Sequence, residues 1–134
     1  MNQGFKDLKV YQLAYKLSME IFEVSKCFPK EEIYSLTDQI RRASRSVCVN
    51  IGEGYRKRIY PKHFSSKMTD ADGECSETII WLDYACDCKY ISKEIKDSLL
   101  VRYEEVGKML GGMANRPEKF APKSLLLQQP TATS

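Results

Sequence analysis

The chain has 134 residues, enough to bury one core and hardly two, and 43% of them are hydrophobic and 29% charged. That composition excludes a wholly disordered chain, and a formal net charge of +3 from 21 basic and 18 acidic residues is too small to name a partner. No apolar run approaches the roughly 18 residues of a membrane span, and the opening Met-Asn-Gln-Gly-Phe-Lys lacks the order of a signal peptide, so a soluble, cytoplasmic protein with no membrane contact is expected.

From Phe5 to Phe28, the row Val10, Ala14, Leu17, Ile21, Val24, Phe28 advances in alternating steps of four and three, which predicts an amphipathic helix. Pro29 disfavours the helical state of its predecessor, so this helix is expected to stop around Cys27 or Phe28. Ser35 is placed to cap a second helix, whose row Leu36, Ile40, Ala43, Val47, Ile51 runs to about Gly52 or Gly54, where glycine weakens it. Pro61 suits a helix start, and Phe64, Met68, Ala71, Cys75, Thr78, Leu82, Ala85 give a third helix ending near Tyr90. Ser92 caps a fourth, with Ile95, Leu99, Tyr103, Val106, Leu110 and Met113 on its apolar face. With no strand-like alternation and short connections, these segments predict an all-α, antiparallel up-and-down four-helix bundle over residues 1–115. A flexible C-terminal tail is expected over 116–134, periodic nowhere except for the patch Leu125, Leu126, Leu127.

Residues that carry chemistry are scarce. The single histidine, His63, excludes the paired Glu-x-x-His ligands of a di-iron bundle, and it has no orienting carboxylate beside it in sequence. The run Asp70-Ala71-Asp72-Gly73-Glu74 lacks the later glycine and glutamate of a calcium loop. Cys86 and Cys88 point about 200° apart on a helix, too far for one metal. The five cysteines, an odd and scattered set, read as reduced, packed thiols. No phosphate-cradling glycine loop or nucleophile elbow occurs, so the expectation is a protein without metal, cofactor or enzymatic activity.

One charge pattern stands out. Arg41, Arg42, Arg45, Arg56, Lys57, Arg58 and Lys62 face a single acid, Glu53, between positions 41 and 63. At about 100° per residue, the arginines of the second helix fall on the side away from its apolar row, with Cys48 and Val49 also outward. Guanidinium forks suit phosphate oxygens, and Tyr55 and Tyr60 have faces on which unpaired bases can stack. The same arginines could equally pair with Asp38 and with the acidic third helix on a solvated face.

The strings Phe28-Pro29-Lys30-Glu31-Glu32, Leu36-Thr37-Asp38-Gln39-Ile40-Arg41-Arg42-Ala43, Ser46-Val47 and Asn50-Ile51-Gly52-Glu53-Gly54-Tyr55 resemble the four-helix-bundle family encoded in intervening sequences of bacterial 23S ribosomal RNA genes. The likeness begins at Phe5-Lys6-Asp7-Leu8, includes Phe64, Ala71, Gly73 and Glu77, and fades near Met113, with Glu74 departing from the usual serine. The resemblance implies an antiparallel bundle that assembles as a homopentamer. A related branch, the accessory proteins of diversity-generating retroelements, implies a basic barrel that binds nucleic acid and a reverse transcriptase, with Arg41, Arg42 and Arg45 near the ligand. Residues and resemblance together lead to a non-enzymatic oligomer that binds RNA or another nucleic acid through Arg41, Arg42, Arg45, Tyr55, Arg56, Lys57, Arg58 and Lys62. The rival is an adaptor that binds only protein partners, its arginines engaged in ion pairs.

Overall fold

The computed structural model describes residues 4–122. Four helices, α1 (Lys9–Ser25), α2 (Leu36–Arg56), α3 (Pro61–Asp87) and α4 (Lys93–Asn115), are joined and flanked by short 3₁₀ turns at Gly4–Asp7, Lys30–Glu32 and Pro117–Lys119. They form an antiparallel up-and-down bundle in which each helix packs on the next and α4 returns to α1, the most extensive pairing being α2 with α3. Cross-links at both ends fix this direction. Arg41 on α2 meets Ser25 at the end of α1, and Ser65 at the start of α3 bonds the carbonyl of Ala114 at the end of α4.

The apolar rows form the core. Every member of the α2 and α3 rows is buried, and so are Val10, Ala14, Leu17 and Ile21 of α1. On α4 the row is buried from Leu99 to Met113, whereas Ile95, in the first turn, is exposed.

The helix ends depart from the sequence reading in instructive ways. Ser35 does not cap α2; its hydroxyl donates to Glu32 Oε1 at 2.6 Å, and that carboxylate accepts the Leu36 N–H at 3.4 Å, so the acid of the preceding turn caps the helix. Ser92 caps α4 as expected, accepting from the Ile95 N–H at 3.1 Å. The third helix ends at Asp87 rather than Tyr90 because Lys89 adopts a left-handed φ of 67°. The Lys89 N–H then returns to the Cys86 carbonyl and the Tyr90 N–H to that of Ala85, a Schellman closure with lysine where glycine is usual. It folds Tyr90 back onto Phe28, ring centroids 5.6 Å apart.

Helix α2 runs past both glycines to Arg56. A Cβ on Gly54 would stand 2.5 Å from Met68 Cε and 2.7 Å from Lys67 Cβ, so glycine here lets α3 approach and does not end the helix. The Lys67–Glu53 ion pair, 2.9 Å, closes over the same crossing. The chain also stays with the bundle beyond Asn115: Pro117–Lys119 forms a turn and Phe120 stacks on Phe64, centroids 5.3 Å apart. Residues 123–134, with the leucine patch, lie outside the described residues.

Two stability predictions follow from this packing. Gly54→Ala should lower stability by about 1–3 kcal/mol through overpacking, whereas Gly111→Ala, with nothing within 4 Å of the new methyl, should raise it by about 0.5–1 kcal/mol; thermal unfolding of both variants decides. The second concerns Glu20, which receives two hydrogen bonds from Arg102, one of 2.8 Å, and these hold its carboxyl below the ordinary 4.5. Because the folded-state pKa is the lower one, this contribution is complete above about pH 4.5 and is lost as pH falls through the folded value. Glu20→Gln should flatten the acid limb of the stability profile and leave it unchanged in shape near neutrality.

Candidate nucleic-acid interface

The eight basic and aromatic candidates do not form one continuous stripe. Helix α2 packs between α1 and α3, so its polar arc is narrow and side chains at its margins lie over the neighbouring helices. Arg41 is half-buried, its Nε donating to Ser25 Oγ at 2.8 Å and its guanidinium 4.8 Å from the Phe22 ring centre. Arg45 leans over the same ring at 5.8 Å but is exposed. Arg42 turns the other way, toward α3, 4.0 Å from Asp38 and close enough to Glu74 to oppose the upward pKa shift caused mainly by that residue's burial. Among the described residues this exposed contact is the only ion pair within 4.0 Å made by any of the candidates, and such a pair contributes little. Cys48, expected to face outward, is buried, while Val49 is exposed.

Arg56, Lys57, Arg58 and Lys62 gather around the α2–α3 connection, about 16 Å along the helix from Arg45. Arg58 lies over the Tyr55 ring at 4.1 Å and donates to the Tyr55 carbonyl at 3.0 Å, so that ring face is already covered. Tyr60, by contrast, is exposed. Arg56 lies 5.7 Å from the Phe5 ring, which also rests against Gly52. This contact brings the start of the chain to the connection, and the antiparallel topology brings the end of α4 there as well.

Cations distant in sequence therefore share one end of the bundle: Lys6 and Lys9, then Arg56, Lys57, Arg58 and Lys62, then Arg116 and Lys119, against Asp7, Glu53 and Glu118. Lys9, Arg116 and Lys119 border a groove of about 590 Å³ whose floor is Leu8, Val10, Met109, Met113 and Phe120. Sequence reading missed Lys6, Lys9, Arg116 and Lys119 because each is isolated along the chain and only the helix directions unite them.

A scan against protein families matches residues 6–112 to the 23S rRNA-intervening sequence protein model. The chain belongs to that family. Among solved structures, this chain is similar to a protein of unknown function from the S23 ribosomal protein family of Bacteroides thetaiotaomicron, at 24% identity with a TM-score of 0.71. That likeness covers 78% of this chain and 97% of the other, and it shows the shared fold. No curated protein matches the chain.

Among the described residues of this family member, no three His, Cys, Asp or Glu side chains converge as a metal site, and no helix is long and apolar enough to cross a membrane. The cysteines are all free but not all packed: Cys48 and Cys75 are buried, while Cys27 and Cys88 are exposed. Burial pushes the Cys48 thiol up to about 11 and the Cys75 thiol to about 12, so neither is a nucleophile near neutral pH. Limited iodoacetamide treatment of the native protein should therefore label Cys27 and Cys88 first and spare Cys48 and Cys75 until unfolding, as peptide mass mapping would record.

Proposed function

We propose that this chain is a non-enzymatic, self-associating protein that holds structured RNA by its phosphate backbone. The observation that supports this most is the meeting of cations from the chain start, the α2–α3 connection and the end of α4 at one end of the bundle. Lysine and arginine heads with few neighbouring carboxylates attract phosphates, so binding is expected to track shape and charge more than sequence. The exposed Tyr60 offers a face for an unpaired base. Arg41 serves the fold, tied to Ser25 and Phe22, and Arg45 is the better placed of the two to reach a ligand.

Self-association, as a homopentamer or another closed ring, is supported by the exposed apolar side chains Tyr15 and Met19 of α1 and Val49 of α2. The same face favours the adaptor reading, in which only protein is bound.

A gel-shift titration against structured fragments of ribosomal RNA separates the two. Binding should weaken by roughly 0.9 log units per log unit of salt for each duplex phosphate contacted. The triple variant Lys57→Glu, Arg116→Glu, Lys119→Glu should lose it without changing the mass of the assembly by sedimentation. Val49→Lys should lower that mass. Absence of any shift at low and at moderate salt would leave the adaptor reading alone.

A further inference from the structure

At the end of the bundle away from the basic cluster, the turn that precedes α2 faces the last turns of α3 across an open pocket of about 350 Å³. Glu32, Tyr34, Gln39, Trp81, Tyr84 and Cys88 are among its walls. Three of these are aromatic, and two stand in solvent, Tyr34 at 92% exposure and Tyr84 at 56%. Trp81 is held in place, its indole N–H donating to Glu77 Oε1 at 3.3 Å and its ring 5.7 Å from that of Tyr84 at an interplanar angle of 42°. Such rings carry a negative face that attracts cations.

Glu32 supplies the charge. Its Oε1 accepts from the Ser35 hydroxyl at 2.6 Å and the Leu36 N–H at 3.4 Å, and its Oε2 accepts from the Tyr90 hydroxyl at 2.8 Å. A carboxylate has about four acceptor positions, so one remains open on Oε2. All three donors are neutral, and none of the ion pairs among the described residues includes Glu32. The hydrogen bonds from Ser35 and then Tyr90 hold its carboxyl below the usual range, so it is ionised at neutral pH. The arrangement is built from three parts of the chain, because the left-handed turn at Lys89 is what returns Tyr90 to Glu32. An ionised carboxylate without a cation, walled by aromatic faces in a surface pocket, is complementary to a positive ligand and repels phosphate.

The geometry points to a binding site for the guanidinium or ammonium head of a basic side chain on a partner protein, seated between the Tyr34, Trp81 and Tyr84 rings and neutralised by Glu32. Ile33 and Ile80, chain neighbours of the lining residues Glu32, Tyr34 and Trp81, are each 51% accessible and would offer apolar contact to the residues beside that basic side chain. This site is independent of the RNA reading, since its charge has the opposite sign.

Trp81 is the chain's single tryptophan, so its fluorescence reads the pocket directly. The test titrates the full chain with a blocked tripeptide centred on arginine, in parallel with the same peptide carrying the neutral isostere citrulline. Saturable change in emission with arginine and none with citrulline is the expected result. Glu32→Gln should weaken binding about tenfold, the loss of one charge-assisted contact. Because that substitution also touches the cap of α2, Tyr34→Ala provides a second variant; a side chain so exposed contributes little to folding, and its removal should weaken binding as well. The proposal is overturned if arginine and citrulline peptides act alike, if neither alters Trp81, or if diluting the protein alone produces the change, which would assign the pocket to contacts between copies.

Discussion

The bundle depends on how closely α2 and α3 approach. A methyl group at Gly54 would collide with the side chains of Lys67 and Met68 on α3, and the Glu53–Lys67 ion pair closes over the contact. Beyond this contact the two helices bury small and medium side chains, Ala43, Val47 and Ile51 on one and Met68, Ala71 and Cys75 on the other. Pro61 starts α3 only a few residues after α2 ends, so the connection is short and its basic residues are held at a defined place on the end of the bundle. A looser crossing would let that end splay and would separate the cations that the topology collects there.

The interior is apolar enough to silence its own polar groups. Cys48, Cys75 and Tyr103 lie near one another in the core; burial raises all three pKa values, and the Tyr103 hydroxyl has no hydrogen-bond partner among the described residues. A buried unpaired hydroxyl costs about 1–3 kcal/mol, so this ring is retained for the space it fills and not for the oxygen it carries.

The helix rows were legible in the sequence because burial imposes a period, and the α2 and α3 rows are buried without exception. Boundaries were less legible, since they rest on contacts between distant residues. Ser35 has the chemistry of a cap, yet Glu32 takes that part because a 3₁₀ turn places its carboxylate over the first N–H of the helix. Gly52 and Gly54 have the chemistry of helix breakers, yet Phe5 and α3 occupy the space they leave. The candidate interface divides in the same way. A local excess of arginine and lysine is visible as a run, but Lys9, Arg116 and Lys119 join it only through antiparallel packing, and Arg41 leaves it because Ser25 and Phe22 sit across the helix interface.

The two ends of α2 consequently present opposite electrical preferences. Its first turn borders the aromatic pocket with the free charge of Glu32, and its last turn enters the cluster of Arg56, Lys57 and Arg58. Twenty-one helical residues separate them by about 30 Å, several times the roughly 8 Å screening length at physiological salt. Charges at one end therefore exert little direct influence on ligands at the other, and any coupling between them must pass through the rigid helix or through a partner that spans it. On the two proposals made above, an anionic polymer at one end and a basic protein segment at the other would not compete for the same surface. The local placement of charge, more than the modest net value of +3, is what both proposed sites rest on.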